Sequence, residues 1–149
     1  KTNLSKTEVL PALQHHERVD GRGYPRGIED KNIHKYSKIV TICDIYDALT
    51  SDRPHRKAVP QSEAIEYLMG SAGTILDHDL VNKFVKRVIP YPKGTKVELS
   101  NGQKAIVVGQ EEHLPLRPLV LIDGEKIRLS SFNKLTIDKV VMNRRWGLV

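Results

Sequence analysis

The stretch KYSKIVTICDIYDALT, residues 35–50, decides the first half of the fold. Ile39, Ile42, Cys43, Tyr46 and Leu49 recur at three- and four-residue intervals, the period of one helix face. The spacing predicts a helix over 35–50 with these residues turned inward and Cys43 as a buried, inert thiol. Asp44 and Asp47 stand three apart and share another face, which also carries Val40. A carboxylate inside so apolar a run calls for a partner, either a metal ion or an arginine. A surface acid pair, or a salt bridge to Arg53, is the plainer alternative.

Working outward, residues 4–18 carry Leu4, Val9, Leu10, Ala12 and Leu13 in a helical pattern interrupted by Pro11. Residues 62–69 read as a helix capped by Ser62 and ended by Gly70. Residues 78–88 read as another, capped by Asp77, with Leu80, Val81, Phe84, Val85 and Val88 as its apolar stripe. After Pro92 the pattern changes. TKVELSNGQKAIVVG predicts two strands around Asn101-Gly102, and PLVLIDGEKIRL repeats the hairpin around Asp123-Gly124. A fifth strand is expected near 135–141. The chain is therefore expected to be α+β, with a helical part over 1–90 and a small β-rich module over 91–149. Five short strands suggest an antiparallel barrel or sandwich.

Composition narrows the function classes. The 149 residues include 39% hydrophobic and 28% charged residues, which marks a globular chain. No apolar run approaches the roughly 18 residues of a membrane span. The net charge of +6 invites a phosphate-bearing partner, but the cations are spread and aromatic content is only 5%, so nucleic acid is not expected. A single cysteine excludes a disulfide framework and fits a reducing, cytoplasmic setting. The chain starts at Lys1 without an initiator Met or a signal-peptide pattern, and we expect it to be a piece of a longer protein.

The chemistry concentrates in HHERVDGRGYPRG, residues 15–27. Adjacent helical residues point about 100° apart, so His15 and His16 suit two ions of one dinuclear cluster better than one shared ion. Otherwise one ligates and the other packs, or both are ordinary surface residues. The loop that follows has the glycines of an anion-binding nest, flanked by Arg22 and Arg26, with Tyr24 offering a face to a nucleobase. The same residue types also make ordinary turns. In TSDRPHRKA, Arg53 and Arg56 suit bidentate phosphate contacts, or cap the preceding helix C-terminus.

Taken together, HHERVDGRGYPRG, KIVTICDIYDALTSDRPHRKA and AGTILDHDLVNKF resemble the HD-GYP family, a branch of the HD superfamily of metal-dependent phosphohydrolases. The resemblance covers about residues 1–88. It implies a helical phosphodiesterase acting on cyclic di-GMP to give pGpG and then GMP. It implies divalent ions, two or three, iron or manganese, with His15, His16 and Asp44 among their ligands. Gly23, Tyr24 and Pro25 match the naming motif beside the site. Asp47, Arg53 and Arg56 match substrate-contacting positions, and Glu17 and Asp20 take structural roles. The β module resembles an extension behind some such domains.

The chain departs from the family at the His-Asp pair itself, which the family places well before the paired histidines and which is absent there; Asp77-His78-Asp79 does not take its place. His34, Lys38 and His55 replace the usual proline, arginine and tyrosine. The 149 residues alone are therefore expected not to hydrolyse cyclic di-GMP. The alternative is a non-catalytic cyclic dinucleotide-binding module, or a regulatory protein-interaction module, a role to which the EEHLPLRP loop also points. Signalling domains or other proteins, and a second copy in a homodimer, are the expected macromolecular partners.

Overall fold

A computed structural model describes residues 5–141 and divides the chain into two compact units, Lys1–Arg87 and Val88–Val149. Leu4, counted above in the first helical pattern, lies outside the described residues.

The first unit holds four helices: α1 (Lys6–Gln14), α2 (Lys35–Thr50), α3 (Gln61–Ser71) and α4 (His78–Val85). α1 continues through Pro11 and ends at Gln14 rather than reaching residue 18. The chain then turns, with Glu17 N–H donating to the Gln14 carbonyl at 2.9 Å. α2 matches its predicted span. The cap of α3 is Pro60 rather than Ser62, which is buried as the second residue of the helix. Asp77 caps α4 as expected, accepting from Leu80 N–H at 3.0 Å, but the helix ends at Val85 rather than reaching Val88. The buried apolar residues of this unit include Ile33, Ile42, Ala64, Ile65, Leu68, Leu76, Val81 and Val85.

The expected inward face of α2 is corrected by its packing. Ile42 is 2% exposed, whereas Ile39 is 38% exposed and Cys43 is an exposed thiol. Apolar residues run nearly all round this helix, so their period alone could not say which ones meet a neighbour. Ser37 and Thr41 are buried with Ile42, so the packed face runs through two hydroxyls.

The second unit is a five-stranded antiparallel sheet: β1 (Lys96–Leu99), β2 (Lys104–Gly109), β3 (Leu119–Ile122), β4 (Glu125–Arg128) and β5 (Ile137–Val140). The strand order is β4-β3-β2-β1-β5. Both sequence-predicted hairpins form, at β1–β2 and β3–β4. Asp123 (φ 48°) and Gly124 (φ 91°) supply the two left-handed residues that a two-residue hairpin turn needs. β4 and β5 are edges with no pairing between them among the described residues, so the sheet is open rather than a closed barrel. Alternate residues Val97, Leu99, Ala105, Val107, Val120 and Ile122 bury one face with Tyr91 and Leu129.

Candidate functional site

His15 and His16 follow the last residue of α1, and three neighbours fix them. The Pro11 carbonyl accepts from His15 N–H at 3.1 Å and lies 2.9 Å from His15 Nδ1. A carbonyl can only accept, so Nδ1 is the donor, and in the neutral imidazole Nε2 keeps its lone pair for a ligand. A carbonyl acceptor on one imidazole nitrogen is the usual orientation of a metal-binding histidine. The His15 carbonyl in turn lies 2.8 Å from the Thr41 hydroxyl on α2, one turn before Asp44. Gln14, buried at the end of α1, accepts from His34 N–H and the Ser37 hydroxyl, both at 3.0 Å. These bonds tie the histidine corner to the start of α2.

The glycine loop packs back on that corner. Glu17 is 2% exposed, and its two carboxylate oxygens accept from Arg26 N–H at 2.8 Å and Ile28 N–H at 3.1 Å. Gly23 lies so close to the Glu17–Arg18 backbone that a Cβ there would stand 2.3 Å from Arg18 N and 2.4 Å from Glu17 Cα. Tyr24 N–H donates to the His16 carbonyl at 3.2 Å, and its ring stacks on His16 with centroids 4.6 Å apart and planes 23° apart. The next peptide bond, Tyr24–Pro25, is cis. The His15 and His16 rings are 4.0 Å apart.

This arrangement changes two expectations. The N–H groups of Gly21, Arg22, Tyr24, Arg26 and Ile28 donate to the protein's own acceptors, so they do not form an open anion nest. Tyr24 is 59% exposed, but one of its faces is taken by His16. Its other face is what remains for a base.

The α2 acids and the loop beyond it divide their roles. Asp44 is exposed, as is Asp47, and neither has an ion pair among the described residues. Exposure removes the need for the buried partner expected above. Asp47 Oδ1 accepts from the Ser51 hydroxyl at 3.2 Å. Arg53 and Arg56 face each other across a tight turn, with N–H to carbonyl distances of 2.9 and 3.1 Å. The Arg56 guanidinium donates to the Ala48 carbonyl in the last turn of α2, so Arg56 does cap that helix. The Arg53 side chain has no such bond among the described residues and stays exposed.

A cation tie stands behind the site. Lys38 on α2 is 2.6 Å from Asp30 and 3.1 Å from Asp77. Burial pushes the Asp77 carboxyl up, but the Leu80 N–H and the Lys38 ammonium outweigh it and hold Asp77 below the ordinary aspartate value. Burial likewise pulls Lys38 down, and the two carboxylates more than reverse it, leaving Lys38 raised.

Among the described residues, His, Cys, Asp and Glu nowhere form a group of three able to hold a metal ion. His15, His16 and Asp44 therefore do not close a metal site by themselves. Glu17 takes the structural role expected of it, while Gln14 and Thr41 were the residues that motif reading passed over. Gln14 left a trace, a polar residue four after Leu10 on the same helical stripe.

Residues 8–80 match the HD domain family. A cyclic di-GMP phosphodiesterase of Pseudomonas aeruginosa is 37% identical over 140 residues, 94% of this chain and 32% of the relative. The 3'3'-cGAMP-specific phosphodiesterase 3 of Vibrio cholerae is 40% identical over 77 residues, 52% of this chain and 17% of the relative. A cyclic di-GMP phosphodiesterase of Thermotoga maritima is 39% identical over 75 residues, 50% of this chain and 20% of the relative. The chain thus spans 32% or less of the length of these three relatives. Over residues 8–80, which hold the paired histidines, the glycine loop and α2, the chain belongs to the HD domain family.

Proposed function

We propose that this chain is part of a metal-dependent phosphodiesterase that hydrolyses a 3',3'-cyclic dinucleotide, with cyclic di-GMP as the substrate. The observation that carries the reading is the histidine corner: two adjacent imidazoles with Tyr24 stacked on the second and Nε2 of the first left to coordinate. The similar proteins named for cyclic di-GMP and 3'3'-cGAMP support the substrate class. In this reading His15, His16 and Asp44 are one part of a ligand set for iron or manganese. Arg53 meets a phosphate, Asp47 and Arg56 lie beside it, and Gly23, Tyr24 and Pro25 form the adjoining wall.

The same reading makes the first unit the C-terminal part of an HD-GYP domain. α2 is then a central helix, whose exposed Val40 and Cys43 are covered in a longer, cytoplasmic protein. The second unit is then a barrel-like extension, since both edge strands send apolar residues, Ile127, Ile137 and Val140, against one core.

The test compares two proteins with cyclic di-GMP and manganese or ferrous iron, following pGpG and GMP. The 149-residue chain is expected to show no turnover. A longer protein containing it is expected to turn over, and His15→Ala, His16→Ala or Asp44→Ala to lower that rate at least 100-fold. Turnover by the 149 residues alone, or unaltered turnover in all three variants, contradicts the proposal.

A further inference from the structure

A second feature lies on the first unit, in the groove between α2 and α4. It is a cavity of about 500 Å³ lined by Ile39, Ile42, Leu80 and Phe84, with Lys35, Lys83, Lys86 and Arg87 around its rim. Its lining residues include no carboxylate, hydroxyl or amide side chain. All four cations are exposed, and none has an ion pair among the described residues.

Helix electrostatics explain only part of this charge. Lys83, Lys86 and Arg87 lie near the C-terminal end of α4, where cations are favoured. Their i,i+3 and i,i+4 spacing nevertheless sets like charges side by side. Lys35 is the first residue of α2, at the helix end where a cation is disfavoured. Two helices from opposite sides thus bring unpaired positive charge to one apolar trough.

From this geometry we infer that the groove docks an amphipathic helix of a partner protein, with an apolar stripe flanked by acidic residues. The seat between two packed helices is where a third helix lays its ridge. Anchors at i, i+3 or i+4, and i+7 enter the apolar floor, and the flanking carboxylates reach the four cations. A nucleotide fits worse, because no lining side chain can accept a hydrogen bond from a base edge. A bilayer fits worse, because the apolar floor lies inside a concave surface that flat lipid cannot enter. A second copy of this chain offers α3, whose exposed apolar residues, Tyr67 and Met69, lie about 160° apart round the helix and so form no stripe.

The probe is a fluorescein-labelled 18-residue helical peptide with leucines on one face and glutamates beside them, titrated with the full 149-residue chain by anisotropy. Saturable binding is expected. It should weaken at least tenfold in Lys83→Glu/Arg87→Glu, weaken with added salt, and be unchanged in Lys57→Glu. Amide shifts on peptide addition should concentrate on α2 and α4. Absence of binding overturns the inference, as does equal binding of the peptide with lysines in place of its glutamates. Displacement of the bound peptide by phosphatidylglycerol vesicles assigns the groove to lipid. Self-association of the chain that Glu63→Lys/Glu66→Lys abolishes assigns it to a second copy. Failure of the longer protein containing this chain to bind the peptide assigns the groove to that protein's own segments. Each of these three results also overturns the inference.

Discussion

Replacing Glu17 tests the histidine corner most directly. Glu17→Ala removes two charge-assisted hydrogen bonds, to Arg26 and Ile28 N–H, from a carboxylate that is 2% exposed. Each such bond contributes about 1.5–3 kcal/mol. Arg26 is exposed and its N–H can rehydrate, while Ile28 is half-buried. The net cost to the closed loop is therefore about 3–5 kcal/mol. At about 1.4 kcal/mol per tenfold, amide exchange at Gly21, Tyr24 and Ile28 should quicken by roughly two to three orders of magnitude or reach the global limit. The nuclear Overhauser contact between the His16 and Tyr24 rings should disappear. Glu17→Gln keeps one acceptor oxygen but turns an NH₂ toward a backbone N–H, so about half the cost is expected. A Glu17→Ala protein with its ring contact intact and a stability loss under about 0.5 kcal/mol would refute the clamp, because that is the usual range of an ordinary surface substitution.

Three further outcomes follow from the same geometry. Gly23→Ala places a Cβ 2.3 Å from Arg18 N, and should lower stability by about 1–3 kcal/mol in thermal or urea unfolding. An unchanged midpoint would mean that the loop does not lie on the Glu17–Arg18 backbone. Lys38→Met should cost about 1–2 kcal/mol at neutral pH, since it strips the partner from the partly buried Asp77. Asp77 is depressed when folded, so its stabilisation is present above about pH 4 and is lost as pH falls through its lower folded value. Lys38 is raised, so its stabilisation is present below about pH 10.5 and is lost as pH rises through its higher folded value. The difference between wild type and Lys38→Met should therefore shrink at both extremes, and a pH-independent difference would count against the tie. Arg56→Ala should cost about 0.5–1 kcal/mol by uncapping α2, while Arg53→Ala should leave the urea midpoint unchanged. In the longer protein Arg53→Ala should nevertheless slow cyclic di-GMP turnover, and a stability loss confined to Arg53→Ala would reverse these roles.

Much of the fold was legible from local signals. The apolar period of residues 35–50 and the Asp77 cap are carried by neighbours in the chain, and so is the glycine turn of each hairpin. α2, α4 and both hairpins consequently formed where their signals lie. The residue types of the site were equally plain, because His15-His16, the glycine loop and Asp44 recur as a recognisable pattern. What sequence could not supply was the environment of each side chain. Cys43 sits at a core-like period yet is exposed, because exposure depends on which helix lies opposite rather than on the period itself. Arg53 and Arg56 are equivalent by spacing, and only the turn between them decides that Arg56 reaches the Ala48 carbonyl while Arg53 stays free to meet an anion. The carboxylate of Glu17 binds amides 9 and 11 residues away, a closure that no local preference encodes. Sequence alone determined which residue types the chain sets close together and which segments are helix or strand. Tertiary structure decided which groups are spent holding the loop and which remain to bind, because hydrogen bonds and burial are settled between segments distant in the chain.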